Sequence, residues 1–407
     1  MQTRKQKLAL VISMLAAFAL GMATLSGCAL FTEEKIAATA SAVLELDKTY
    51  HRRENEMNTV QKIFESEISD GIINGSAVFS GTLEQDLYKN SFGFADNSHK
   101  VPMRTDTVID IASVTKAAAC ITALLVCHSR GLIDFDRPFT EYLPEYRAKL
   151  KEAVTVRDLA NHCSGFYELP GESRPYFDES GRKMLEKVLT LPPPHPRTIN
   201  AHYACWNYIL LGQIVEKITG VPFAEFCRKE IFLPLEMNDS SLGSPLKHIP
   251  PERLAQTIGT DRPGMISDFV ACRLWRDGIS TGNAGMFSSA EDLAKLLRCY
   301  LRHGAAPGGQ RIFSEEAFAQ IAPDRGSATD GYRRFGWVIC DSHMPGSSFG
   351  TSLLHSGWSG QTLFMDFRND FFAVVLTTRC GDYDRAKTDR FRVIEALSNP
   401  NFLSEQG

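Results

Sequence analysis

The sequence predicts an α/β (α+β) fold: an antiparallel sheet assembled from both ends of the chain and flanked by helices, with an all-helical lobe beside it. Three observations predict it. Alternating stretches bounded by turn residues, the mark of strands, occur on the N-terminal side at 76–81 and 86–94 and return from residue 335 onward. The long stretch between them, 134–325, reads as helical patterns separated by Pro- and Gly-rich loops. A helix signal at 112–130, rich in Ala, Leu and Ile, carries few charges in its middle, so it belongs inside the molecule.

In chain order, a short amphipathic helix pattern at 58–69 precedes the two N-terminal strands. Gly131 closes the apolar helix as a C-terminal glycine does. The loops at 191–195 (Leu-Pro-Pro-Pro-His) and 304–309 punctuate the helical region, which extends over about 111–325. Strand patterns follow at 335–340, 362–367 and 372–377, and a last helix pattern at 383–397. The 407 residues exceed one typical core, so the expectation is one bilobal domain or two domains. A composition of 43% hydrophobic and 23% charged residues excludes a disordered chain. The net charge of −4 comes from interspersed acids and bases with no basic stripe, which argues against a nucleic-acid partner.

Three Ser-x-x-Lys strings occur, beginning at Ser113, Ser180 and Ser244. Chance supplies about one or two in a chain of this length, so context must separate them. Ser180 stands before Gly181 in a polar stretch and Ser244 before Pro245 in a loop; only Ser113 opens a long apolar helix. On a helix, residues i and i+3 share a face, which sets the Lys116 amine against the Ser113 hydroxyl. The helix N-terminus adds positive potential there. Burial is expected to lower the Lys116 pKa, so that the neutral amine takes the serine proton. The plainer alternative makes Ser113 a helix cap and Lys116 a surface lysine.

Residues 111–116 (Ile-Ala-Ser-Val-Thr-Lys), the helix after them and 131–136 (Gly-Leu-Ile-Asp-Phe-Asp) resemble the nucleophile region of class C β-lactamases, DD-peptidases and related esterases, the penicillin-binding-protein-like serine hydrolases. Further stretches resemble that family in the same order: 155–165, which leads to the site's rim; 208–220, the helix after the second motif; 285–293; and His355-Ser356-Gly357-Trp358 in the place of Lys-Thr-Gly or His-Thr/Ser-Gly. The resemblance spans about 58–397. It implies Ser113 as nucleophile, Lys116 beside it, and His355 contacting substrate or transferring a proton. It also implies an oxyanion hole from the Ser113 and Trp358 amides. Gly357 permits close approach of a substrate backbone, and the motif is expected on or near a sheet edge facing Ser113. No metal and no organic cofactor is implied.

The second motif departs from the family. Where Tyr-x-Asn or Tyr-Ser-Asp is expected, this chain has Tyr203-Ala204-Cys205. Tyr203 keeps the phenol that shuttles a proton between Ser113 and the leaving group. Cys205 replaces an amide with a weak donor and acceptor, and Asn207 is the candidate to swing into the vacant role. The resemblance therefore implies acyl transfer to water through a Ser113 acyl-enzyme on an ester or amide, peptidase or esterase rather than efficient β-lactamase. The alternative is a catalytically weak lipoprotein that uses the fold as a binding module.

The N-terminus supplies an address. Arg4, Lys5 and Lys7 precede an uncharged apolar run at 8–25, which ends in Leu25-Ser26-Gly27-Cys28. That string resembles a bacterial lipobox, in which the cysteine is acylated and the preceding peptide removed; an uncleaved signal anchor is the alternative. The expected organisation is a signal peptide at 1–27, a lipid-anchored tether at 28–57 and the catalytic domain at 58–400. The protein is then a monomer held at a bacterial membrane through Cys28, outside the cytoplasm, within reach of peptidoglycan stem peptides or small esters. Ten cysteines show no CxxC pair and no metal-ligand array. Cys120 and Cys127 lie about 10 Å apart along one helix, too far for a disulfide, and most cysteines are expected to be small buried residues.

Overall fold

Strands from the two ends of the chain meet in one sheet. The computed structural model describes residues 59–150, 152–166, 180–322, 333–339 and 351–398. The chain divides into two compact units, Met1–Thr59 with Gln406–Gly407, and Val60–Glu405. All but Thr59 of the first, including the Cys28 string and the tether, lies outside the described residues. Among the described residues the strands are β1 Ile73–Gly81, β2 Asp86–Gly93, β3 Ile109–Asp110, β4 Ser241–Leu242, β5 Met286–Ser288, β6 Arg333–Arg334, β7 Trp337–Ile339, β8 Ser352–Ser356, β9 Gln361–Asp366 and β10 Phe371–Arg379. The helices are α1 59–69, α2 114–129, α3 Val156–Ala160, α4 Gly181–Thr190, α5 Cys205–Thr219, α6 Phe223–Cys227, α7 Phe269–Arg276, α8 Ala290–Leu301, α9 Glu315–Phe318 and α10 Tyr383–Ser398.

The main sheet is antiparallel in the order β2-β1-β10-β9-β8-β7-β6. Its centre is buried on both faces: every residue of β1 and of β10 is buried. Val78, Leu354, Phe364, Ala373 and Val375 form one core with Val60 and Phe64 of α1 and Val393 of α10. Ala77, Phe79, Leu353, Leu363, Met365 and Val374 form the other, with α2, α5 and α8. The mixed architecture agrees with the sequence expectation, as do the predicted helices at both ends and the apolar α2.

Two expectations are corrected. The region 111–325 is not all-helical: β4 and β5 lie within it and form a second sheet with β3, in the order β3-β5-β4. Strands of two and three residues are too short for alternation to reveal them. Nor does the whole region form a separate lobe, because α8 packs on β1, β9 and β10. The eight described cysteines carry no disulfide, and Cys120 and Cys127 are both buried.

Candidate active site

The site is built from the small sheet outward. β3 pairs with β5 through Ile109↔Ser288 and Asp110↔Phe287, and the Ile111 amide continues onto the Met286 carbonyl at 2.9 Å. The chain then turns sharply into α2. Ala112 takes a φ of +47°, a costly conformation for a residue with a Cβ. Asp110 supports it: its carboxylate accepts from the Ala112 amide at 2.9 Å and the Ser267 amide at 2.6 Å. Burial pushes that carboxyl up to about 6, against the pull of these donors. Thr115 Oγ1 accepts from the Met286 amide at 3.1 Å, tying the start of the helix to β5.

This turn presents Ser113, and its hydroxyl is not used as a cap. Ser113 Oγ accepts from Tyr203 Oη at 2.7 Å and from Lys116 Nζ at 3.3 Å. Lys116 begins a π-helical stretch, Lys116–Ile121, and is fully buried. Its ammonium also donates to Cys205 Sγ at 3.4 Å and to the Asn283 carbonyl at 2.9 Å, and it lies 4.8 Å over the Tyr203 ring. Burial pulls the Lys116 pKa down, but the facing Cys205 and Tyr203 more than reverse this, and the amine is held above its usual range. That direction runs against the expectation of a lowered lysine pKa. The other two strings are structural. Ser180 caps α4, and Ser244 Oγ donates to the Gly264 carbonyl at 2.7 Å.

Tyr203 is 36% exposed, with its hydroxyl turned inward onto Ser113. Burial pushes its phenol up to about 12, with Lys116 pulling the other way. Behind it stands His162, which the sequence reading did not single out. Its ring centre is 4.6 Å from that of Tyr203, and its Nδ1 accepts from the Ala204 amide at 3.1 Å. Burial, then the charges of Arg333 and Lys116, hold His162 well below the usual histidine range, so the ring is neutral. Cys205 is half-buried at the first residue of α5. Asn207 is fully buried: its Oδ1 accepts from Ser164 Oγ at 2.6 Å and its Nδ2 lies 3.2 Å from His162 Nδ1. It braces the 162–164 loop and is not placed to replace the missing amide at Cys205.

The third motif ends β8 and enters the turn before β9. β8 is an interior strand, paired with β7 through Leu353 and Leu354 and with β9 along its length. A Cβ on Gly357 would stand 2.6 Å from Gln361 Oε1 and 2.9 Å from the Ile111 carbonyl. The glycine therefore admits the nucleophile turn itself, rather than the substrate backbone expected from the sequence. That contact brings residues 357 and 358 against residues 111–113. Neither the Ser113 nor the Trp358 amide donates a hydrogen bond among the described residues, as an oxyanion hole requires. The Trp358 side chain is 40% exposed, stacked under the Arg379 guanidinium at 5.2 Å. His355 is 2% exposed, and its ring nitrogens are buried with no side-chain partner among the described residues. Burial, then Arg333 and Lys116, keep it neutral. It backs the site from the buried side.

The family model for Beta-lactamase matches residues 61–398. An N-acetylmuramyl-L-alanine amidase of Bacillus subtilis (strain 168) is 29% identical over 336 residues, covering 74% of this chain and 72% of the relative. A putative D-alanyl-D-alanine carboxypeptidase of Salmonella agona (strain SL483) is 26% identical over 312 residues, covering 69% and 72%. Among solved structures, EstCE1, a hydrolase with promiscuous acyltransferase activity, superposes with a TM-score of 0.68 at 19% identity, covering 84% of this chain and 99% of that one. A penicillin-binding protein homologue from Caulobacter crescentus gives 0.67 at 20% identity, covering 85% and 97%. Matched over most of its length by that family model and built on the same fold, the chain belongs to the beta-lactamase family of serine hydrolases.

Proposed function

We propose that the protein hydrolyses an ester or amide through a Ser113 acyl-enzyme, with a peptidoglycan stem peptide or a small ester as substrate, while anchored to a bacterial envelope membrane through Cys28. The observation that carries the reading is the pair of donors on Ser113 Oγ, Tyr203 Oη at 2.7 Å and Lys116 Nζ at 3.3 Å. Tyr203 rests as the phenol, and the base is the minor population that has lost its proton, a state the adjacent Lys116 favours and burial opposes. As Ser113 Oγ attacks the carbonyl carbon, its proton passes to Tyr203 oxygen. The carbonyl oxygen gains charge beside the Ser113 and Trp358 amides. On collapse, Tyr203 returns the proton to the departing oxygen or nitrogen, and water later repeats the sequence on the acyl-enzyme. The curated relatives named for amidase and carboxypeptidase activity support a peptidoglycan-derived substrate. A monomer is part of this reading.

An active-serine phosphonate probe tests the core of it. Wild-type protein takes one label, located on Ser113 by mass spectrometry, and Ser113→Ala takes none. Lys116→Ala loses about as much turnover as Ser113→Ala, because residues acting as one unit are not additive. A panel of p-nitrophenyl esters, D-Ala-D-Ala peptides and a chromogenic cephalosporin then assigns the substrate. Labelling that persists in Ser113→Ala overturns the assignment.

A further inference from the structure

The turn between β8 and β9, residues 357–360, carries the Trp358 amide proposed above for the oxyanion. The end of β10 holds this turn, and each of its carbonyls is taken up. Gly357 accepts from the Gly360 amide at 3.2 Å. Gly360 accepts from the Thr377 amide at 3.1 Å and from Thr377 Oγ1 at 2.8 Å. Ser359 accepts from the Arg379 amide at 3.1 Å. β10 ends at that residue, and the Trp358 carbonyl is met by a side chain instead: Arg379 Nε donates to it at 2.8 Å.

That side chain is itself fixed. Arg379 is 7% exposed, and its Nη1 donates to the Gly381 carbonyl at 2.8 Å. Its guanidinium lies against two rings, 5.2 Å from the centre of Trp358 and 5.4 Å from that of Tyr383, the first residue of α10. A guanidinium stays charged and presents its donors in a rigid plane. One group therefore grips residue 358 at both its carbonyl and its ring, the two substituents of the Cα that also bears the amide. Arg379 acts on the site through that residue.

We infer that Arg379 is a positioning residue for the oxyanion hole: it holds the Trp358 amide in the direction the developing oxyanion requires. This rests on the Ser113 and Trp358 roles proposed above. The donor is the backbone N–H. Arg379 supplies the rigidity that keeps that donor from turning away, so that little reorganisation is left for the moment when charge appears. Its effect therefore belongs to the transition state and not to substrate binding. A side chain that only filled space at the end of β10 would leave the stabilisation of an oxyanion untouched.

Two esters that differ in one atom test it: p-nitrophenyl butyrate and its thiono counterpart, in which sulfur replaces the carbonyl oxygen. Each kcat/KM is divided by the alkaline hydrolysis rate of the same ester, and the oxo-to-thiono ratio is read. Sulfur is a weak hydrogen-bond acceptor, so aligned amide donors favour the oxo ester. The expected wild-type ratio is about a hundredfold, what one oxyanion donor supplies. Arg379→Met, a chain of similar reach without donors, lowers that ratio by about tenfold; kcat on the oxo ester falls with it while KM stays within about threefold. Arg379→Lys gives an intermediate ratio, since charge and one donor remain and the fork is lost. Because the readout is a ratio, a general loss of activity in a variant cancels. If Arg379→Met does not fold, Arg379→Lys carries the test, and failure of both to fold makes Arg379 a stability residue and overturns the inference. A ratio unchanged in folded Arg379→Met, or in Arg379→Lys where it alone folds, overturns it too, as does a loss confined to KM. A wild-type ratio near one, with Ser113 labelled by the phosphonate, overturns the Trp358 role beneath it, and an unlabelled Ser113 overturns the catalytic reading itself.

Discussion

Lys116 shows how much of a site one residue's spacing can announce, and what it cannot. Its place three residues after Ser113, on a helix too apolar to lie at the surface, was enough to set the amine against the hydroxyl. Its charge state was not legible, because that depends on Cys205 and Tyr203, which arrive with the start of α5, Cys205 being 89 positions away. His162 and Arg333 escaped notice for the same reason: each reaches the site only through the packing of its loop or hairpin on Tyr203. Cys205 is the residue whose identity most affects the chemistry. Its sulfur accepts from Lys116 at 3.4 Å, where an amide would offer a stronger acceptor and a donor besides. Cys205→Asn is expected to raise kcat/KM on amide substrates roughly five- to tenfold, the worth of about one added hydrogen bond near 1 kcal/mol. Esters, intrinsically more reactive, gain much less. Steady-state kinetics on a matched ester and amide decide it, and equal gains on both count against a substrate contact at this position.

At the scale of elements, the end of β8 and the turn into α2 form one unit. Gly357 is the hinge of that unit, because any side chain there meets Gln361 and the Ile111 carbonyl below 3 Å. Gly357→Ala therefore displaces either the nucleophile turn or the Trp358 amide. The expected loss is on the order of a hundredfold in kcat, what removal of one oxyanion donor costs, with the far-UV circular dichroism of the wild type. Turnover within threefold of wild type would contradict the packing described for this glycine. The longer strands and the helices were legible because their patterns run for many residues. β8, the strand that carries His355, was not: it is only five residues long, Ser352–Ser356, and begins and ends on a serine. The small sheet failed for the opposite reason, since two residues make no period at all. Yet β3 supports Asp110, and through it the strained Ala112.

Across the whole molecule, the face of the main sheet turned away from Ser113 holds a second set of buried charges. Glu67 on α1 is fully buried, and neither carboxyl oxygen has a hydrogen-bond partner among the described residues. Arg390 on α10 is also fully buried and donates from Nε to Thr362 Oγ1 at 2.9 Å. Burial foremost, with Asp389 adding to it against the pull of Arg390, pushes Glu67 up to about 8. The folded state thus holds this proton more tightly than the unfolded chain does. The corresponding stability is fully present below the ordinary glutamate range and is lost as pH rises through about 8. Thermal melting from pH 5 to 9 is expected to show a falling midpoint, reflecting on the order of a few kcal/mol. Glu67→Gln flattens the upper part of that curve. A wild-type midpoint that is constant or rises over the interval contradicts the assignment. Asp110, raised to about 6, acts in the same direction at lower pH.

The seating of β1 between β2 and β10 also orders events in time. The Gly75 amide donates to Thr378 Oγ1 at 2.9 Å, a partner 303 positions further along the chain. Until that partner is synthesised, one edge of β1 has no strand to pair with, and its apolar residues lack half their cover. Closing so long a loop costs little more at equilibrium than closing a shorter one, but it delays the reward until almost the whole chain is available. Such a chain is expected to be slow to reach its native state. That suits a polypeptide proposed to cross a membrane before it begins work, and it makes the last strand the one that joins β1 and β2 to the rest of the sheet.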